Sequence, residues 1–326
     1  MQSQRRPSEA DNQKLPGIID TFGEAFALVV QRPYLALVPV LLDLYLWLGV
    51  SLSVKPLADE VERWLRSLPD VNAEAVDQVV RFGESFDLVS LLGVSIPTLV
   101  GQLGHSAVAA VGDHLWLTDL PWWSIPPLAA ALVVAGLIVG TLYLTGVAYV
   151  VRAQPFNRRF WRDAGRNAMR MLGFVVITIL GAMLLILPVI FTSVVLMVIG
   201  INAVPLLVLL AWSAGMWLFF LLFFAQYAIV VSDVGPLRAI YLSYNVVRRN
   251  VWSAAGFIIV YFVISNGVPV ALNLLTSSPV GVVLAMGGNA FIATGVIAAA
   301  MLFYRDRARA LGQPGPLSNA PAGPAS

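Results

Sequence analysis

Few side chains in this sequence have the type and spacing to do chemistry. Asp43 is one, in the stretch "PYLALVPVLLDLYLWLGV". It lies eight residues past Leu35, about 12 Å along a helix, inside a run otherwise free of charge. A carboxylate at that depth of a membrane is costly, so it must face protein or water, and it is a functional candidate by default. The amides Gln226, Asn266 and Asn289, in other apolar runs, are its candidate partners and complete a candidate binding set. A structural bond to a neighbouring helix competes with a role on an ion or solute path. His105, Asp113 and His114 form a second cluster, but their spacing brings them onto no common helix face, and no metal site is expected. Arg158, Arg159, Arg162, Arg238, Arg248 and Arg249 form two basic groups suited to lipid headgroups. With no cysteine, thiol chemistry and disulfides drop out. There is no glycine-rich phosphate loop, zincin helix or nucleophile elbow. No catalytic residue and no cofactor is expected, and the chain does not read as an enzyme.

The elements that must hold these residues are apolar helices. Of 326 residues, 59% are hydrophobic and only 12% charged, about half the charged share of a soluble domain. A net charge of +2 gives no case for nucleic acid. A crossing helix needs about 20 apolar residues, and six runs reach that: 35–54, 128–151, 171–199, 205–231, 251–275 and 280–304. The expected fold is all-α: a polytopic integral membrane protein of six transmembrane helices with cytoplasmic amphipathic helices and one external helical segment. Residues 17–304 form one membrane domain, with an external insertion at 55–125. Residues 1–16 and 305–326 read as disordered cytoplasmic tails. The first apolar run is too long for a cleaved signal core.

Charge sorts the two sides. With six spans, 16 of the 20 basic residues share the side of the termini. The other side carries Lys55, Arg63, Arg66 and Arg81 together with ten acids. Basic residues stay inside, so both termini are expected in the cytoplasm and the protein in the cell (inner) membrane. Eighteen arginines against two lysines point to a GC-rich, bacterial genome.

Amphipathic segments precede the spans. In "GPLRAIYLSYNVVRRN", Leu237, Ile240, Tyr241, Tyr244, Val247 and Val251 recur at helical spacing. Pro236 suits a first helical turn. The spacing predicts a membrane-surface helix whose stripe dips into lipid while its arginines meet headgroups. "QPFNRRFWRDAGRNAMRMLGF" and "GPLRAIYLSYNVVRRNVWSAAGF" both carry an early Pro, basic residues, an Asn (Asn167, Asn250) and Gly-Phe six residues later. "GIIDTFGEAFALVVQRPYLAL" is a looser copy, which suggests three repeated units. Outside, Val61, Trp64, Leu65 and Leu68 share a helix face, and Asn72 suits the cap of a second helix. Residues 88–112 are long enough to cross, but Pro97, Gly101, Gln102 and His105 weaken them, so they read as an external cap or a dipping segment. Gly136 and Gly140 suit close helix packing. Pro188 and "ISNGVP" mark possible helix interruptions near a cavity.

"VVSDVGPLRAIYLSYNVVRRNVWSAAGFIIVYFVI" resembles a pattern of bacterial six-helix membrane proteins: the membrane domain of glycerophosphodiester phosphodiesterases and its stand-alone relatives. In them an Asp-Gly-Pro turn, an Ala and a Ser lead a basic amphipathic helix into the next span. Here those positions are Asp233, Gly235, Pro236, Ala239 and Ser243, with Val234 inserted. "EAFALVVQRPYLALVPVLLDL" is similar to that group's first span. The resemblance brings no active site, and the hydrolase domain is absent. The function expected is a non-enzymatic inner-membrane scaffold or accessory protein, with membrane lipids and a partner membrane protein as its contacts. The alternative is a small transporter or permease with its path near Asp43.

Overall fold

The computed structural model describes residues 15–68, 72–104, 116–118 and 120–312. It is almost entirely helical. In chain order come α1 (Ile18–Gln31), α2 (Leu37–Leu48), strand β1 (Ser51–Leu52), α3 (Lys55–Arg66), α4 (Ala73–Ser85), α5 (Leu99–Leu103) and strand β2 (Trp116–Leu117). Then follow α6 (Ile125–Val151), α7 (Arg158–Val198), α8 (Val204–Leu222), α9 (Ala225–Ser232), α10 (Pro236–Arg249), α11 (Val251–Leu272) and α12 (Pro279–Ala310). β1 pairs in parallel with β2.

Five helical stretches are long and apolar enough to cross a membrane: Trp122–Val151, Arg158–Val198, Val204–Ser232, Val251–Leu275 and Pro279–Ala310. A bent pair, α1 with Pro33–Leu48, becomes a sixth if counted as one span. The chain is a multi-pass helical membrane protein. The run 35–54 is not the straight span its apolarity suggests. A 3-10 turn (Pro33–Ala36) opens it, the helix stops at Gly49, and Ser51 and Leu52 leave to pair with residues 116 and 117. Twelve residues of α2 cover about 18 Å, short of the roughly 30 Å hydrocarbon core. The axes of α1 and the following pair meet at 93°. Pro188 and Pro269, read as possible interruptions, lie inside unbroken α7 and α11. The C-terminal segment expected to be tail from 305 continues α12 to Ala310.

The first and third of the three expected units match in the backbone. α1 and α10 are each 14 residues long, start after a glycine (Gly17 φ −63°, ψ 166°; Gly235 φ −71°, ψ 165°), and end alike (Arg32 φ −138°, ψ 63°; Asn250 φ −132°, ψ 39°). Buried Thr21, Ala25 and Val29 correspond to buried Ala239, Ser243 and Val247. The middle unit differs: α7 runs straight through Asn167 into its apolar half. The returning helices α6, α9 and α12 each end within two residues at positive φ: Ala153 (54°), Asp233 (54°) and Gly312 (63°). Each residue there turns the chain toward whatever follows.

The core lies where the three returning helices meet. Phe224 stacks on Phe303 at 5.2 Å, Phe257 packs on Phe303 at 4.3 Å, and Phe22 of α1 stacks on Phe257 at 5.2 Å. α1 is held against α12 where Phe26 fills the space over Gly295. By contrast, the apolar half of α7 and all of α8 leave most of their side chains bare, with Leu184 77% and Trp212 71% exposed. Such a surface suits hydrocarbon rather than water.

Candidate functional site

Asp43 is fully buried. The backbone N–H of Leu99 donates to its Oδ2 at 2.8 Å, and that of Val100 to its Oδ1 at 2.9 Å. These are the first two residues of α5, whose own N-cap Thr98 supplies no side-chain bond. Asp43 is thus the cap of α5, supplied from another helix: a carboxylate placed on the orphan amides and positive end of a helix. It bonds none of the three expected partners. Asn266 is exposed and donates to the Phe262 carbonyl of its own helix at 2.9 Å. Gln226 is half-buried and makes no bond to Asp43. Asn289 alone lies in a buried pocket near the segment that Asp43 holds.

That segment begins at Asp87, whose Oδ1 accepts from Leu52 N–H at 2.8 Å and Val89 N–H at 3.0 Å. A 3-10 turn (Leu88–Gly93) and α5 follow. The described part, 88–104, is two short pieces and not a crossing helix. It is wedged among the spans. Leu99 and Val100 pack with Leu46 and Trp47 of α2 and with Val282, Ala285 and Met286 of α12. Gly136 and Gly140 of α6 do pack closely, but against this segment. A Cβ on Gly136 would stand 2.7 Å from the Leu91 carbonyl oxygen and 2.8 Å from that of Leu92, and one on Gly140 would strike Ser95.

Behind this wedge lies a cavity of about 20 Å³. About 10–15 Å³ by this measure admits one water, so one or so fits. Its polar lining is Gln102, Tyr261, Ser265 and Asn289. Asn289 is 2% exposed and its Nδ2 has no partner among the described residues. Nearby, Tyr227 donates to the Tyr261 hydroxyl at 3.2 Å, and Tyr143 to Thr294 Oγ1 at 2.8 Å. Sequence reasoning missed these tyrosines, since a tyrosine in an apolar run carries no mark of a partner.

The basic groups divide by task. Arg158, Arg159, Arg162, Arg238, Arg248 and Arg249 are all exposed. Arg159 pairs with Asp163 at 3.4 Å, and Arg248 lies over the Tyr244 ring at 5.9 Å. Their neighbours turn inward. Tyr149 donates to Asp163 at 2.7 Å, Arg166 bridges Asp163 and Asp233, and Arg170 also binds Asp233. Arg152 donates to the Val230 carbonyl. Burial pulls its guanidinium below the usual arginine range, and Asp233 is the first charge to offset this. This network ties α6, α7 and the α9–α10 turn together. On α10 the expected single stripe is two faces. Ala239, Leu242, Ser243, Val246 and Val247 pack inward, while Leu237, Tyr241 and Tyr244 face out beside the arginines. Asn72 caps α4 as expected, accepting from Glu74 N–H at 2.9 Å, whereas Trp64 and Leu68 are exposed.

His105, Asp113 and His114 lie outside the described residues. Among the described residues no group of three or more His, Cys, Asp or Glu could hold a metal ion. Comparison with protein-family models, curated proteins and solved structures finds no match to this chain.

Proposed function

We propose that this chain is a non-enzymatic scaffold or accessory protein of a bacterial inner membrane, with both termini cytoplasmic. It works by holding its basic amphipathic helices and bare apolar helices against lipid and a partner membrane protein. A place in the six-helix group that includes the membrane domain of glycerophosphodiester phosphodiesterases is part of this proposal. The observation that carries it is the use of Asp43. Both its oxygens are taken by the Leu99 and Val100 amides, so the one acid deep in an apolar run serves to fasten the wedge. The cavity beyond has room for about one water, a structural volume rather than a path.

The test is flux. The purified full chain in proteoliposomes, under an imposed pH or cation gradient, is expected to match empty vesicles. Proton- or cation-driven flux that disappears in Asp43→Asn would overturn the scaffold in favour of a permease.

A further inference from the structure

A buried cation on the basic side of the bundle keeps two unmade donors among the described residues. Arg307 of α12 is 3% exposed. Its Nη2 donates to Ser253 Oγ at 2.8 Å and lies 3.5 Å from the Pro16 carbonyl oxygen, and its guanidinium carbon sits 3.3 Å above the Phe303 ring. Its Nε and Nη1 are buried and have no partner among the described residues. A buried donor left unmade carries a penalty that a bound acceptor removes.

Ser253 stands in the first turn of α11, so the guanidinium meets the positive end of a helix. No side chain caps α11, because the Asn250 amide donates back to the Val246 carbonyl at 3.1 Å. Asp306, next along the chain, balances the guanidinium only in part, being itself held by Arg305 at 2.8 Å. Among the described residues a guanidinium, a hydroxyl and a helix start without a side-chain cap converge with no acid bonded to any of them. An oxyanion with several acceptor oxygens would complete the set. The corner is also dressed for a headgroup. Trp252 is 90% exposed beside it, and Arg248 and Arg249 end α10 one turn earlier. Tryptophan favours the membrane interface, and arginine matches phosphate with a planar fork.

We propose that the α10–α11 corner, built from Arg307, Ser253 and the first turn of α11, binds a phosphate group, and that its source is the headgroup of an anionic phospholipid. Both free donors are covered here, so capture turns the guanidinium outward on its flexible stem. The lipid source rests on the proposed placement of the basic side at a membrane surface, which reporter fusions test separately.

Native mass spectrometry of the detergent-solubilised full chain, titrated with phosphatidylglycerol or phosphatidylcholine, reads the site. Preferential retention of phosphatidylglycerol is expected. Arg307→Gln should weaken it at least about fivefold, the loss of one basic contact near an anionic surface, without changing phosphatidylcholine retention. Arg307→Lys should restore only part of it. Equal retention of both lipids, or unchanged phosphatidylglycerol affinity in folded Arg307→Gln, overturns the site. Inorganic phosphate that displaces the lipid at equal concentration overturns the lipid source and leaves a free-anion site. Should Arg307→Gln not fold, Ser253→Ala and the exposed Trp252→Ala decide: loss of the preference supports the site, and an unchanged preference overturns it. A reporter at Gly235 found outside the cytoplasm would sink the orientation while leaving the measured lipid preference standing.

Discussion

Asp43 meets two backbone N–H groups, one on each oxygen, and no amide side chain can copy that. Asp43→Asn keeps one acceptor and turns an NH2 donor toward the other amide. The cost is about 1–3 kcal/mol, the penalty of one buried donor left unmade. Asp43→Leu leaves both amides unmade and should cost more. Thermal unfolding in detergent should therefore rank the wild type above Asn and Asn above Leu, and an Asn variant as stable as the wild type would contradict the cap. Asp233 offers a second case. It adopts positive φ and binds Arg166 and Arg170. Asp233→Asn keeps the backbone preference, since Asn tolerates that region, and removes only the charge. Partly exposed ion pairs are worth roughly 0–1 kcal/mol each, so Asn should cost about 1 kcal/mol. Asp233→Val, which is β-branched and ill-suited to positive φ, should cost more by the same measurement. That Asp43 must face protein or water was legible in the sequence. Its partners were not: they lie 56 and 57 residues away, in a segment whose two short pieces have no helical periodicity to read.

Between α8 and α9 the helical ladder is broken by a side chain from a third helix. Ser243 of α10 donates to the Leu221 carbonyl at 2.7 Å and accepts from Phe224 N–H at 3.2 Å. The span expected over 205–231 is present as one stretch, Val204–Ser232, whose ladder an inserted serine interrupts between α8 and α9, a recognised way for an inserted group to break a ladder. Ser243→Val removes both bonds and adds volume where none is free. It should cost about 2–4 kcal/mol, one lost buried pairing plus overpacking, and hydrogen exchange should rise first at 221–228. Ser243→Ala should be milder. Gly136→Leu tests the wedge in the same manner. A side chain there meets the Leu91 and Leu92 carbonyls and should raise exchange at 88–104 while leaving α1 and α12 protected. Helix existence and span-length apolarity were readable, because they are local properties of composition and period. The two faces of α10 were not. Ala239 and Ser243 are weakly apolar, and their inward role comes from the shape of the α8–α9 break, which periodicity does not encode.

At the scale of the whole molecule, three units share one plan: an amphipathic helix, an outgoing helix and a returning helix ending in a left-handed turn. The first and third units break between the first two helices, at Arg32 and Asn250, whereas α7 stays continuous. Sequence likeness is greatest between the second and third units and backbone likeness between the first and third, because burial at three positions of α1 and α10 conserves shape with different residues. The first outgoing helix is also the shortest, and the inserted segment 88–104 is fastened beside it by Asp43. Orientation follows if the bent α1–α2 pair reaches across as one unit, for then the crossings number six and the termini share a side. With Lys and Arg concentrated there, the proposed orientation puts that side in the cytoplasm. Reporters fused after Ser326 and before Met1 should both read cytoplasmic, as should one at Gly235. Reporters at Gly200, in the α7–α8 turn, and in the α3–α4 loop should read external. Opposite readings at the two termini would mean that α2, at 12 residues, does not complete a crossing. The protein would then have five spans, and the insertion would share a side with the N-terminus.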